Sequence, residues 1–158
     1  MPAITPCLWF NTKLDDVLDY YFSIFPDSSV REQLRYGEEA GDNAGELMYV
    51  VFELAGNRLS AINGGGQDFP FSEAVSLEID CADQAEIDYY WDKLTADGGE
   101  EGPCGWCKDK YGLSWQVAPS SLNELFGDPD PARAARAMNA MMQMKKLVIA
   151  DLEAAANG

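Results

Sequence analysis

The stretch from Glu100 to Pro119, "EEGPCGWCKDKYGLSWQVAP", holds the side chains best suited to chemistry: two thiols three positions apart, Cys104 and Cys107, then Gln116 inside an apolar run. Such a pair could cycle between dithiol and disulfide or give two thiolates to zinc. Redox cycling calls for the first thiol at a helix N-terminus, but the residues that follow alternate like a hairpin and strand. The two thiols are therefore expected on extended backbone, diverging to opposite faces. Structural zinc wants four ligands, and the remaining cysteines, Cys7 and Cys81, stand alone. With no histidine in the chain, a histidine base and histidine-ligated metals are excluded. Cys104 stays a candidate nucleophile or thiol contact, because Lys108 and Lys110 lie close enough in sequence to favour a thiolate.

Carboxylates are plentiful. Asp and Glu number 27 against 11 Lys and Arg, a formal charge of -16 that repels phosphate backbones and anionic membrane surfaces. Nucleic acid and membrane are excluded as partners, and most of the surplus acid is expected to be solvated surface. Glu78 differs in its setting. Alternation in "AVSLEID" puts Val75, Leu77 and Ile79 toward a core and leaves Ser76, Glu78 and Asp80 opposite. In "GLSWQVA" the same rule buries Leu113, Trp115 and Val117 and leaves Ser114, Gln116 and Ala118 opposite. The row Ser76, Glu78, Ser114 and Gln116 then lines either a wet sheet face or a ligand pocket, and pattern alone leaves both open. In a pocket, Glu78 is the candidate general base or metal ligand and Gln116 a polar orienting group, with Trp106 and Phe69 as apolar walls. Gly64 to Gly66 follow a strand as a phosphate-binding or adenosylmethionine-binding loop would, but "DFPFSEAVSLEID" brings a strand rather than a helix after them. A flexible crossover with Asn63 at its mouth is expected there.

These residues need elements to hold them. "CLWFNTKLDDVLDYYF" from Cys7 and "SLEIDCADQAEIDYYW" from Ser76 align without a gap at an offset of 69, as from Asp19 to Asp88. Each copy reads as strand then helix, with Leu14, Val17, Leu18, Tyr21 and Phe25 at helical spacing in one and Ile87, Tyr90, Trp91 and Leu94 in the other. Three strand-like runs follow each helix: "SVREQLRY", "ELMYVVFELAG" and "NRLSAINGG", then a short piece near Gly98, "GWCKDK" and "LSWQVAP". Hairpin turns are expected at Gly56–Asn57 and Tyr111–Gly112. The fold class is α+β: two βαβββ modules, about 1–66 and 67–126, whose sheets join into a curved surface with a concave side. Residues 127–158 form an extension read as one long C-terminal helix, with Met138, Met141, Met142, Val148, Ile149 and Leu152 near one face as a subunit contact. No leader-like or membrane-length apolar run occurs, so a cytoplasmic protein with reduced thiols is expected.

"ITPCLWF", "YYFSIFPDS", "AINGGG" with "FPFSEAVSLEIDC", "DYYWDKLTADGGEEGPCGWCKDKYGLSWQVAP" and "DPDPARAARAMNAMMQMKKLVIADLEAA" together resemble the PhnB-like branch of the vicinal oxygen chelate, or glyoxalase and dioxygenase, superfamily. The resemblance spans nearly the whole chain and often travels with the label 3-demethylubiquinone-9 3-methyltransferase-like. It implies a cupped mixed sheet, a homodimer and a small-molecule site in the cup. In metal-dependent relatives a His or Gln on a module's first strand and a Glu on its last bind a divalent ion that polarises the substrate. The resemblance sets Ser76 where the His would be, Gln116 where the Glu would be, and Cys7 in the matching place of the first module. The usual ligands are thus missing, with Glu78 and Gln116 the remaining candidates for a divalent metal. Cys107 stands where relatives carry an apolar residue. Two functions follow: a metal-assisted lyase, isomerase or transferase, or a non-catalytic module that binds or sequesters a small molecule. Methyl transfer has little support, because no glycine loop enters a helix.

Overall fold

The computed structural model describes residues 2–158 and divides into two compact units, one ending at Pro70 and one starting at Phe71. The first is built from β1 (Cys7–Phe10), α1 (Leu14–Ile24), β2 (Ser28–Arg35), β3 (Leu47–Leu54) and β4 (Asn57–Asn63). Its strands run β1-β4-β3-β2, with β1 parallel to β4 and the other neighbours antiparallel. Leu14, Val17, Leu18, Tyr21 and Ile24 form the buried stripe of α1 and pack against the sheet face carrying Leu8, Phe10, Val50, Phe52, Leu59 and Ala61. Each such side chain contributes roughly 1.5–3 kcal/mol by leaving water.

The second unit repeats the plan with β5 (Ser76–Cys81), α2 (Gln84–Thr95), β6 (Glu100–Glu101), β7 (Trp106–Lys108) and β8 (Ser114–Pro119). Strand order is β5-β8-β7-β6, and β5 is parallel to β8. Asp83 caps α2 by accepting from the Glu86 amide, while the Glu86 carboxylate accepts from the Ala82 amide. Ile87, Trp91 and Leu94 of α2 are buried with Cys107, Trp115 and Val117 of the sheet. The 69-residue repeat is therefore real in strand order and sense.

Three expectations need correction. Val75 does not join the core: it is 66% exposed, because it lies in the turn before β5 rather than in the strand. The hairpin turn between β3 and β4 is centred on Ala55 and Gly56, whose φ values of 47° and 78° suit a two-residue turn closed by Leu54 and Asn57. The tail is not one long helix. It forms α3 (Leu122–Phe126), α4 (Pro131–Met141) and α5 (Ile149–Asn157), all in the second unit.

No proline or glycine interrupts 142–148, so the break has a tertiary cause. The Met144 and Lys145 carbonyls accept from the Cys104 and Gly105 amides, both at 2.8 Å, and Leu147 is fully buried. Gln84 completes the tie from α2, donating to the Leu147 carbonyl and accepting from the Ile149 amide. Continuing the helix would forfeit all of these bonds. Met138, Met141 and Met142 at the end of α4 thus form no common helix face with Val148, Ile149 and Leu152, and Met138 and Met142 are exposed. No helix among the described residues is long and apolar enough to cross a membrane.

Candidate functional site

The open face of the second sheet is set by strand register. Ser76 lies opposite Ser114 and Glu78 opposite Gln116 across β5 and β8, while Trp106 and Lys108 of β7 lie opposite Gln116 and Ser114. Since alternate residues share a face, Ser76, Glu78, Ser114, Gln116, Trp106 and Lys108 all stand on the side away from Trp115 and Val117. The polar row read from the sequence is therefore assembled. Gln116 Nε2 donates to Ser76 Oγ at 2.9 Å. Glu78, on edge strand β5, is exposed.

The turn leading into β7 sits where it does because of Gly105. Its φ is 82°, and a side chain there would strike the Val117 carbonyl and Leu147. Cys104 precedes it with φ 57°, so it is not on extended backbone as alternation implied. Its thiol faces the Met142 sulfur at 3.7 Å. Cys107 points into the core, where burial and then Asp109 push its thiol up to about 12. Burial, with Glu86, Asp80 and Asp83 behind it, does the same to Cys81. Cys104 and Cys107 thus occupy different environments, and both are free thiols.

Beside the row, at the β6 and β7 end, a concavity of about 150 Å³ is lined by Glu73, Glu100, Pro103, Trp106, Lys108 and Ser114, among others. Lys108 Nζ pairs with Glu73 Oε1 at 2.7 Å, which holds the Glu73 carboxyl below its usual range and raises Lys108. Glu101 is likewise held low, by the Trp91 indole N–H and then Lys145.

Asn63 and Phe69 belong to the first unit. Asn63 ends β4 opposite Phe10, and its Oδ1 accepts from the Gly65 amide at 3.3 Å. Phe69 is 58% exposed and meets Trp9 edge-on at 5.0 Å. The glycine segment is tied down rather than a loose crossover: Gly66 N–H donates to Asn11 Oδ1 and Trp9 Nε1 donates to the Gln67 carbonyl. A Cβ on Gly64 would overlap the Trp9 indole.

Two important residues escaped the sequence reading. Asp109 is buried, its Oδ1 accepting from the Tyr111 and Leu113 amides and its Oδ2 from the Trp115 indole at 2.8 Å. It locks the β7–β8 hairpin and the sheet face built on it. Asp109 three positions before Gly112 was a legible turn signal. Gln84 gave none, because its partners lie 63 and 65 residues away.

A divalent ion of the kind the superfamily uses does not fit these donors. Among the described residues no three Asp, Glu, Cys or His side chains are grouped to hold a metal. Ser76 and Gln116 satisfy each other, and a neutral amide and hydroxyl bind such ions weakly.

The family model described as 3-demethylubiquinone-9 3-methyltransferase matches residues 2–118. None of the curated proteins matches the sequence. Among solved structures, the PhnB protein of Bacillus cereus is 29% identical, with 75% of this chain and 99% of that chain covered and a TM-score of 0.66. Protein PA1353 of Pseudomonas aeruginosa is 18% identical, with 75% and 98% covered and a TM-score of 0.61. The fosfomycin resistance protein FosX of Listeria monocytogenes is 15% identical, with 78% and 94% covered and a TM-score of 0.55.

Proposed function

We propose, from the premise that this chain belongs to the 3-demethylubiquinone-9 3-methyltransferase family, PhnB-like members of the glyoxalase superfamily, that its second unit binds a small molecule on the open face of β5, β8 and β7. The observation carrying this reading is the Gln116–Ser76 hydrogen bond at 2.9 Å, which fixes a polar pair on a face whose neighbour across the ladder is Trp106. A polar pair beside an aromatic wall orients a ligand and covers its apolar part. The methyltransferase description names the family; here the glycine segment leads into β5, not a helix.

Binding proceeds without a resident divalent ion. FosX has been crystallised with Mn(II), but that chemistry needs ligands the row in this chain lacks. Of the two functions, a binding or sequestering module has the stronger support. The enzymatic alternative would rest on Glu78 as base, opposite Gln116 in register. Assembly as a homodimer and a cytoplasmic location belong to the same reading. Exposed Met138 and Met142 supply an adaptable surface for the former, and four unbridged cysteines suit the latter.

Native mass spectrometry of the purified full chain tests this. A stoichiometric small-molecule adduct that disappears in Gln116→Ala, with an unchanged circular dichroism spectrum, is the expected result. An adduct that survives Gln116→Ala would move the site elsewhere. Stoichiometric divalent metal, lost in Glu78→Ala, would replace the binding module with a metal-assisted enzyme.

A further inference from the structure

The concavity at the β6 and β7 end holds one polar group that the fold does not use. Ser114 is fully buried, lines the concavity, and its Oγ has no hydrogen-bond partner among the described residues. Leaving a buried hydroxyl unpaired is costly, and folds avoid it unless something else supplies the partner. Its counterpart shows the contrast. Ser60 lies opposite the first residue of β1, Cys7, as Ser114 lies opposite the first residue of β5, Ser76. Ser60 is also buried, but its hydroxyl donates to the Pro6 carbonyl at 3.4 Å.

The surroundings of Ser114 choose the ligand's charge. Glu73 is committed to Lys108, and Glu101 to the Trp91 indole and Lys145. Glu100 lines the same space and makes no ion pair or side-chain hydrogen bond with any described residue, although Lys108 lies opposite it in the ladder. Two carboxylates, Glu73 and Glu100, therefore stand with one lysine in the lining, while Glu101, next along β6, turns to the opposite face to meet Trp91 and Lys145. Trp106 adds an aromatic wall that can attract a cation, and the chain's overall charge of -16 favours cation approach from outside.

We infer that this concavity takes a small organic cation, an ammonium carried on an apolar or aromatic body. Ser114 Oγ accepts from the ammonium, Glu100 balances its charge, and Trp106 covers the body. This deepens the reading of the sheet face as a ligand site by naming the class of ligand, and it rests on that reading. No bond is made or broken.

Calorimetric titration of the full chain at low ionic strength with benzylammonium, benzyl alcohol and benzoate tests it. Benzylammonium is expected to bind about tenfold tighter than the alcohol, the worth of a charge-assisted hydrogen bond, with benzoate excluded. Glu100→Gln should lower benzylammonium affinity by about threefold, as for a partly exposed ion pair. Ser114→Ala should weaken it by at least that much while leaving the melting temperature unchanged or higher, a split that a purely structural serine would not give. Equal affinity for the alcohol, or unchanged binding in Ser114→Ala, overturns the inference. If the Gln116-dependent adduct exists but the probes show no preference for charge, only the cation assignment falls. If there is neither adduct nor probe binding, the ligand face falls with it.

Discussion

Ser60 and Ser114 occupy the same register position in two sheets of the same strand order, yet only the first has a partner for its hydroxyl. The difference extends outward from these serines. In the first unit the paired strands β2 and β3 run eight residues each, and Ser60 is flanked in the ladder by Cys7 and Val51. In the second, β6 and β7 shrink to two and three residues, and Ser114 is flanked by Ser76 and Lys108. A short hairpin leaves the 102–105 turn and a concavity where the first unit has a longer ladder with two register shifts. One copy of the repeat invested in sheet, and the other in a polar recess.

The recess depends on side-chain ties within the second unit, and removing them should expose the contrast. The largest effect is expected from Asp109→Ala, which strands the Tyr111 and Leu113 amides and the Trp115 indole without their acceptor. A loss of about 3 kcal/mol or more follows, read as a urea transition in which Trp115 signals move while the β2–β3 amides of the first unit stay protected from hydrogen exchange. Simultaneous collapse of both units would erase the distinction.

The buried thiols separate the units by pH. Cys81 and Cys107 both sit in the second unit, with ionisation pushed from an ordinary value near 9 up to about 12. A thiol neutral when folded but ionised when unfolded contributes stability that is complete below about pH 9 and is lost as pH climbs toward about 12. Alkaline denaturation should thus begin in the second unit, and Cys81→Ala with Cys107→Ala should flatten that limb relative to the parent. An identical pH profile would refute it.

Gln84→Ala comes next. It removes one hydrogen bond to Leu147 and one from Ile149, the first residue of α5, and should cost about 1–2 kcal/mol, seen as faster proteolysis within 142–149. The smallest effects, but the most pointed, are those of the serines themselves. Ser60→Ala should destabilise by about 0.5–1 kcal/mol, whereas Ser114→Ala should be neutral or stabilising. The same sign in both would remove the asymmetry.

Much of this architecture was legible in the residues. The repeated Asp-Tyr-Tyr and its flanking alternation marked the order of elements in both modules, although not which strands pair, and the in-out pattern of "SLEID" and "SWQVA" put Ser76 and Gln116 on one side because side-chain period in a strand is two. Periodicity failed where partners are distant. "MMQMKKLV" has the composition of a helix and loses it because Cys104 and Gly105 claim its carbonyls. Val75 fits the alternation but falls outside the ladder. The unpaired state of Ser114 could not be read at all, since it is a property of what does not approach the hydroxyl.

The bonds from Cys104 and Gly105 to Met144 and Lys145 have a practical corollary. A fragment trimmed to residue 118, where the family match stops, would keep every strand of both sheets up to the last residue of β8 yet lose the splint behind the "CGW" bend. Such a shortened protein should still show β-rich spectra while its indole at position 106 wanders, because the segment beyond the matched residues holds the bend that borders the recess.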